Sequence, residues 1–181
     1  MNVLMVGMSR TWAEVLDNAD ERYHLYVVEE PDPWNNRKLG EVKLSNIREV
    51  QLEEYQQSDA ALPVIAKFAE EVGADVVVPG LEYTVLLLRR LRPYSALPNL
   101  GEAAAKALTN KRFMRDRCVK VGIPIPRIPR VNNAEDVEWF FDGPLALKPA
   151  NRQASTGVVR VERYEQIKWA WADAGAADES V

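Results

Sequence analysis

The sequence predicts an α/β protein, a Rossmann-like parallel-sheet domain followed by a small α+β subdomain. Three observations predict it. Residues 3–6 are an apolar run ending at Gly7, followed by Trp12, Val15, Leu16 and Ala19 at helical spacing, the strand–turn–helix opening of a doubly wound domain. Residues 75–79, Asp-Val-Val-Val-Pro, form an uninterrupted β-branched stretch, as expected in the middle of a parallel sheet. Residues 145–161 hold two short apolar runs joined by a loop of small and polar residues that Gly157 closes, which reads as a hairpin with a loop too long for a tight turn.

Bulk properties narrow the function. At 181 residues the chain can bury one good core or two small ones. A net charge of −4 argues against nucleic acid as a partner. A lone Cys118 excludes an internal disulfide framework and fits a reducing cytosol. A lone His24 leaves no cluster for a zinc site or a histidine-based triad, and no metal ligand or catalytic residue is expected here. No apolar run approaches the roughly 20 residues of a membrane span. The opening Met-Asn-Val-Leu-Met-Val-Gly enters a strand without a basic n-region, so a cytoplasmic location is expected.

The remaining elements follow in order. A second strand covers residues 23–28 and ends in acids. The turn at Gly7 lacks the second and third glycines of a dinucleotide fingerprint, so its backbone cannot approach a pyrophosphate in that way. Residues 34–40 read as a polar, mobile loop and residues 42–50 as holding a short edge strand. Ser58 and Asp59 are placed to cap a helix over residues 60–72, which Gly73 stops. Gly80, Leu81 and Glu82 form the turn at the carboxyl end of the Val-Val-Val strand. Glu82 either points into a site or serves the next helix, residues 83–91, as a first-turn acid. Residues 97–101 are a connection or a short last strand. An alanine-rich helix over 102–108 closes a first domain, residues 1–108, and residues 109–181 form the second. There, a helix from Asn110 has Phe113, Met114, Cys118 and Val121 as apolar positions and ends at Gly122; Ile-Pro-Ile-Pro runs out extended, through residues 127–131. Asn133 caps a helix over 134–141. The hairpin and a last helix over 164–174 complete the chain, before a frayed tail. Cys118, Trp139, Trp169 and Trp171 read as packing residues, with an exposed tryptophan pair as the mark of a partner surface.

The loop after Leu147 carries the chemistry. Lys148 ends an apolar strand before a proline, an odd place for a decorative charge. Backbone N–H groups and the side chains of Asn151, Arg152, Ser155 and Thr156 suit phosphate oxygens, with Lys148 as a point charge at the base.

Three motifs occur in order: Thr109-Asn110-Lys111 opening a helix that exits as Gly-Ile-Pro-Ile-Pro, then Leu147-Lys148-Pro149-Ala150, then the loop to Gly157-Val158. This ordered set resembles the ATP-grasp superfamily, in which the second domain would be the lid region. The wording of the loop is most similar to the carboxylate–amine ligases, including L-amino acid ligases, with biotin carboxylase and carbamoyl phosphate synthetase as more distant relatives. The resemblance implies that Lys111 and Lys148 touch ATP phosphates, and that Gln153, Ala154, Ser155, Thr156 and Gly157 form a flexible flap over them. Glu82 becomes a possible substrate-side group. Asn110 departs from the family's aspartate, mildly, because both cap helices.

The resemblance further implies an ATP-dependent ligase that activates a carboxylate as an acyl phosphate for amide or peptide bond formation. Nucleotide and a small carboxylate or amino acid would be its ligands. Magnesium is also implied, with its ligands in a C-terminal subdomain beyond Val181. On this reading the chain corresponds to the first half of such an enzyme, the other half being a possible separate chain. The alternative is a non-catalytic interaction or regulatory module that keeps the fold.

Overall fold

The computed structural model describes residues 1–8, 10–17, 22–41, 45–56, 59–98, 100–126 and 131–177. The chain divides into two compact units, Met1–Ala105 and Lys106–Val181.

The first unit is built on a four-stranded parallel sheet. Its strands are β1 (Asn2–Val6), β2 (His24–Glu29), β3 (Ile47–Leu52) and β4 (Val76–Pro79), in the order β3-β2-β1-β4. Val3 to Val6 of β1 register with Leu25 to Val28 of β2 on one side and with Val76 to Pro79 of β4 on the other. Around them run α1 (Arg10–Asp17), α2 (Pro31–Asn36), α3 (Ala61–Glu71) and α4 (Thr84–Leu91). Alternation along β1 sends Leu4 and Val6 into a core with Leu62, Ile65 and Phe68 of α3 and Leu87, Leu88 and Leu91 of α4. Met5 goes to the other face, with Met8, Val27 and Trp34. Both faces of the central strands are therefore covered, which is why these strands read as continuous apolar runs.

Several sequence expectations change. β4 lies at the edge of the described sheet, not in its middle. Its apolar run reflects two covered faces: Val77 packs in the larger core and Val78 against the smaller one. Beyond it, the Val77 N–H meets the Pro98 carbonyl at 3.4 Å. The loop expected at residues 34–40 is largely ordered as α2 and a short 3₁₀ turn, Leu39–Glu41. Pro31 in the first turn presets the helical φ of α2, and Leu39 is fully buried. Ala60 caps α3 with no side-chain bond. Of the two expected capping residues, Ser58 lies outside the described residues, and the Asp59 side chain pairs with Arg90. Trp12 and Val15 of α1 are exposed. Ser9, Ala19, Val42, Asn99, residues 127–130 and the tail from 178 also lie outside the described residues.

The second unit holds α6 (Lys111–Lys120), α7 (Ala134–Phe140), the antiparallel pair β5 (Leu145–Leu147) and β6 (Val159–Val161), and α8 (Ile167–Ala176). Its core gathers Val137, Leu147, Val159, Val161, Ile167 and Ala170. A further helix, α5 (Glu102–Thr109), spans the division between the units. α6 buries none of its residues, and Cys118 is only half-buried, against the expectation of a core position. Of the three tryptophans read as packing residues, only Trp171 packs; Trp139 is 88% exposed and Trp169 61%. Among the described residues no helix is long and apolar enough to cross a membrane.

Candidate functional site

At the carboxyl edge of the parallel sheet, the turn after β1 is filled by protein. Gly7 has φ +76°, and a Cβ there would lie 2.9 Å from Thr84 Cγ2 and 3.0 Å from the Tyr55 hydroxyl. A Cβ on Gly80 would sit 1.8 Å from the Gly7 carbonyl oxygen, so two backbones cross where only glycine fits.

Glu29, at the end of β2, is fully buried. Its carboxylate accepts from the Met8 N–H (2.6 Å), the Glu30 N–H (2.9 Å) and the Tyr55 hydroxyl (2.8 Å). Three donors, two of them uncharged backbone groups, make burial of the carboxylate tolerable. Burial and the neighbouring Glu29 charge push the Tyr55 phenol far above its ordinary range. Burial also raises Tyr83, stacked on Tyr55 at 6.4 Å between ring centres. Sequence reasoning saw Glu29 only as an acid after a strand. The available signal was the apolar run ahead of it, which carries the residue inside.

Glu82 is exposed. α4 begins at Thr84 with Tyr83 as its N-cap, so Glu82 lies just ahead of the first turn. The helix entry is organised by Thr84, whose hydroxyl donates to the Leu81 carbonyl at 2.7 Å.

The second unit brings Lys111 together with the loop after β5. Asn110 caps α6, its side-chain oxygen accepting from the Arg112 and Phe113 N–H groups at 3.1 and 3.0 Å. The Lys111 N–H donates to the Ala150 carbonyl at 2.8 Å, and its ammonium donates to the Arg152 carbonyl. The Met114 N–H returns to the Asn110 carbonyl. The first amides of α6 are therefore taken, and an anion here would meet the lysine side chain, not the helix end. A cation at the positive end of a helix is unfavourable by itself; the Arg152 carbonyl offsets it. At the other end, Gly122 (φ +74°) closes α6: the Ile123 N–H reaches the Cys118 carbonyl at 2.9 Å and the Gly122 N–H reaches Val119 at 3.2 Å, a Schellman motif.

Lys148 follows Leu147 out of β5 and is exposed, while Leu147, Pro149 and Ala150 are buried. In the loop, Ala154 (φ +51°) and Ser155 (φ +62°) are both left-handed, and the Thr156 N–H returns to the Gln153 carbonyl at 3.0 Å. Two positive φ values are what a type I′ turn requires, normally from Asn or Gly. Here two residues with side chains hold them, each at a cost of about 1 kcal/mol. Ala154, Ser155 and Thr156 are exposed at its tip. The donor set of two lysines, exposed hydroxyls and a strained loop suits phosphate oxygens. Among the described residues there is no group of three or more His, Cys, Asp or Glu side chains that could hold a metal ion.

The fold is similar, over part of the enzymes' length, to that of solved ATP-grasp carboxylate–amine ligases. In particular it is similar to the L-amino acid ligase from Bacillus licheniformis, with a TM-score of 0.66 at 16% identity, covering 96% of this chain and 42% of that one. It is also similar to the D-alanyl-alanine synthetase A from Vibrio cholerae O1 biovar eltor str. N16961, with a TM-score of 0.57 at 19% identity, covering 98% of this chain and 57% of that one. The chain thus spans about half the length of these enzymes. No protein-family model matches the sequence.

Proposed function

We propose that this chain is the ATP-binding part of a ligase that activates a carboxylate as an acyl phosphate for amide or peptide bond formation. The observation that carries the reading is the meeting of Lys111 with the 150–157 loop, whose base is Lys148. In the proposed reaction a substrate carboxylate attacks the γ-phosphorus of ATP and ADP leaves; an amine then attacks the acyl carbon and phosphate leaves. Such catalysis rests on positioning and on charge stabilisation. Lys111 and Lys148 would neutralise phosphate charge, and residues 153–157 would cover the phosphates. Glu82 is proposed as a substrate-side group of the first unit. Residues 1–108 would form the domain ahead of the grasp and 109–181 its lid, with magnesium ligands supplied from outside these residues. On this reading the 181 residues alone bind ATP weakly and do not turn over, in a cytosolic setting.

Calorimetric titration with Mg·ATP tests it. Lys148→Ala removes one charge-assisted contact, worth about 1.5–3 kcal/mol, so affinity should fall roughly ten- to a hundredfold. Unchanged binding in Lys148→Ala would sink the nucleotide reading. It would favour an interaction module, for which the exposed Trp139 and Trp169 speak.

A further inference from the structure

We propose that the 150–157 loop and the last turn of α8 form one cooperative unit, latched through Arg152. The Arg152 guanidinium Nε donates to the Ala177 carbonyl, the C-cap of α8. Carbonyls at a helix end lack intrahelical donors, and the helix dipole favours a cation there. The far end of the loop reaches the same place. A Cβ on Gly157 would lie 2.5 Å from Ala177 Cβ and 2.7 Å from Pro149 Cγ, so the backbone of Gly157 lies against Ala177 with no room for a side chain. Both limbs of the loop therefore converge on Ala177. The Arg152 carbonyl, in turn, is the acceptor of the Lys111 ammonium. One residue thus links the candidate phosphate lysine, through its backbone, to α8, through its side chain. An anion that draws the ammonium away displaces Arg152 and loosens the cap on α8. By linkage, an ordered α8 end biases the loop.

The identity of that anion rests on the nucleotide reading; the latch does not. Hydrogen exchange on the full chain separates the two. In Arg152→Ala, without ligand, exchange should rise about tenfold, the size of one charge-assisted hydrogen bond, at Thr156, Val158 and the last turn of α8 together, with β1 and β4 unchanged. If Arg152→Ala does not fold, Arg152→Lys, which keeps a cation at the helix end, should show the same paired rise at smaller size. A rise confined to the loop, or none, overturns the latch. Mg·ATP added to the wild-type chain should alter both segments, and in Arg152→Ala the loop alone. An ATP effect on the wild-type loop that leaves α8 untouched also overturns the latch. If ATP alters neither segment while Arg152→Ala loosens both, the latch stands and the nucleotide reading falls.

Discussion

Tyr55 and Glu29 show how a single buried pair sets a pH limit. The Tyr55 hydroxyl donates a hydrogen bond to the fully buried Glu29 carboxylate, so the phenol can ionise only against burial and the Glu29 charge. Its folded value is raised above the ordinary 10.0, which the unfolded chain retains. A raised folded value contributes stability that is complete below the unfolded value and is lost as pH rises above it. The first unit should therefore unfold at progressively lower urea concentration as pH climbs past about 10. Tyr55→Phe starts less stable, by about 1.5–3 kcal/mol for a hydrogen bond to a charged group, but its urea midpoint should fall less steeply over the same alkaline range. Equal slopes for the two proteins would show that Tyr55 is not the titrating group.

Among elements, α6 is one whose stability rests on its ends. It is ten residues long and none is buried, too short to persist in water on propensity alone. Its caps, Asn110 and the Gly122 Schellman motif, do what packing does for α3 and α4. Asn110→Ala should cost about 1 kcal/mol and raise exchange across the first turn of α6, whereas Asn110→Asp keeps the cap and should be neutral or slightly stabilising; equal loss in both would disprove the capping account. These caps were legible in the sequence, as were β1, β2, the Val76–Pro79 strand and the hairpin, because each rests on local chemistry: a capping amide, a glycine at positive φ, an apolar run. Non-local arrangements were hidden. The edge place of β4 depends on which strands pair, and the burial of Glu29 depends on Tyr55, twenty-six residues away. α2 is hard to see in the sequence because proline more often ends a helix than starts one, although Pro31 at the first turn starts this one. Of the candidate site, the motifs around Lys111 and the loop are local and readable, whereas the Arg152 bond to Ala177 and the contact of Gly157 with Ala177 join residues some twenty positions apart.

For the whole molecule, charge gives a test whose sign separates two modes of nucleotide binding. The chain carries a net −4, so its overall field repels a polyanion. Lys111 and Lys148 provide the opposite local field. Salt screens both, but over a Debye length of about 10 Å at 0.1 M the diffuse repulsion is already weak near that ionic strength, whereas contact between an ammonium and a phosphate oxygen acts at hydrogen-bond range. If the lysines hold the phosphates, added ions compete for them, and ATP affinity should drop several-fold between about 0.05 and 0.3 M salt. Lys148→Ala should flatten that dependence as well as weaken binding. If ATP were held through its base on an apolar surface, screening would only relieve the repulsion from the net negative charge, and affinity would rise with salt. Titrations of the wild-type chain and Lys148→Ala at three ionic strengths decide between the two by the sign of the slope.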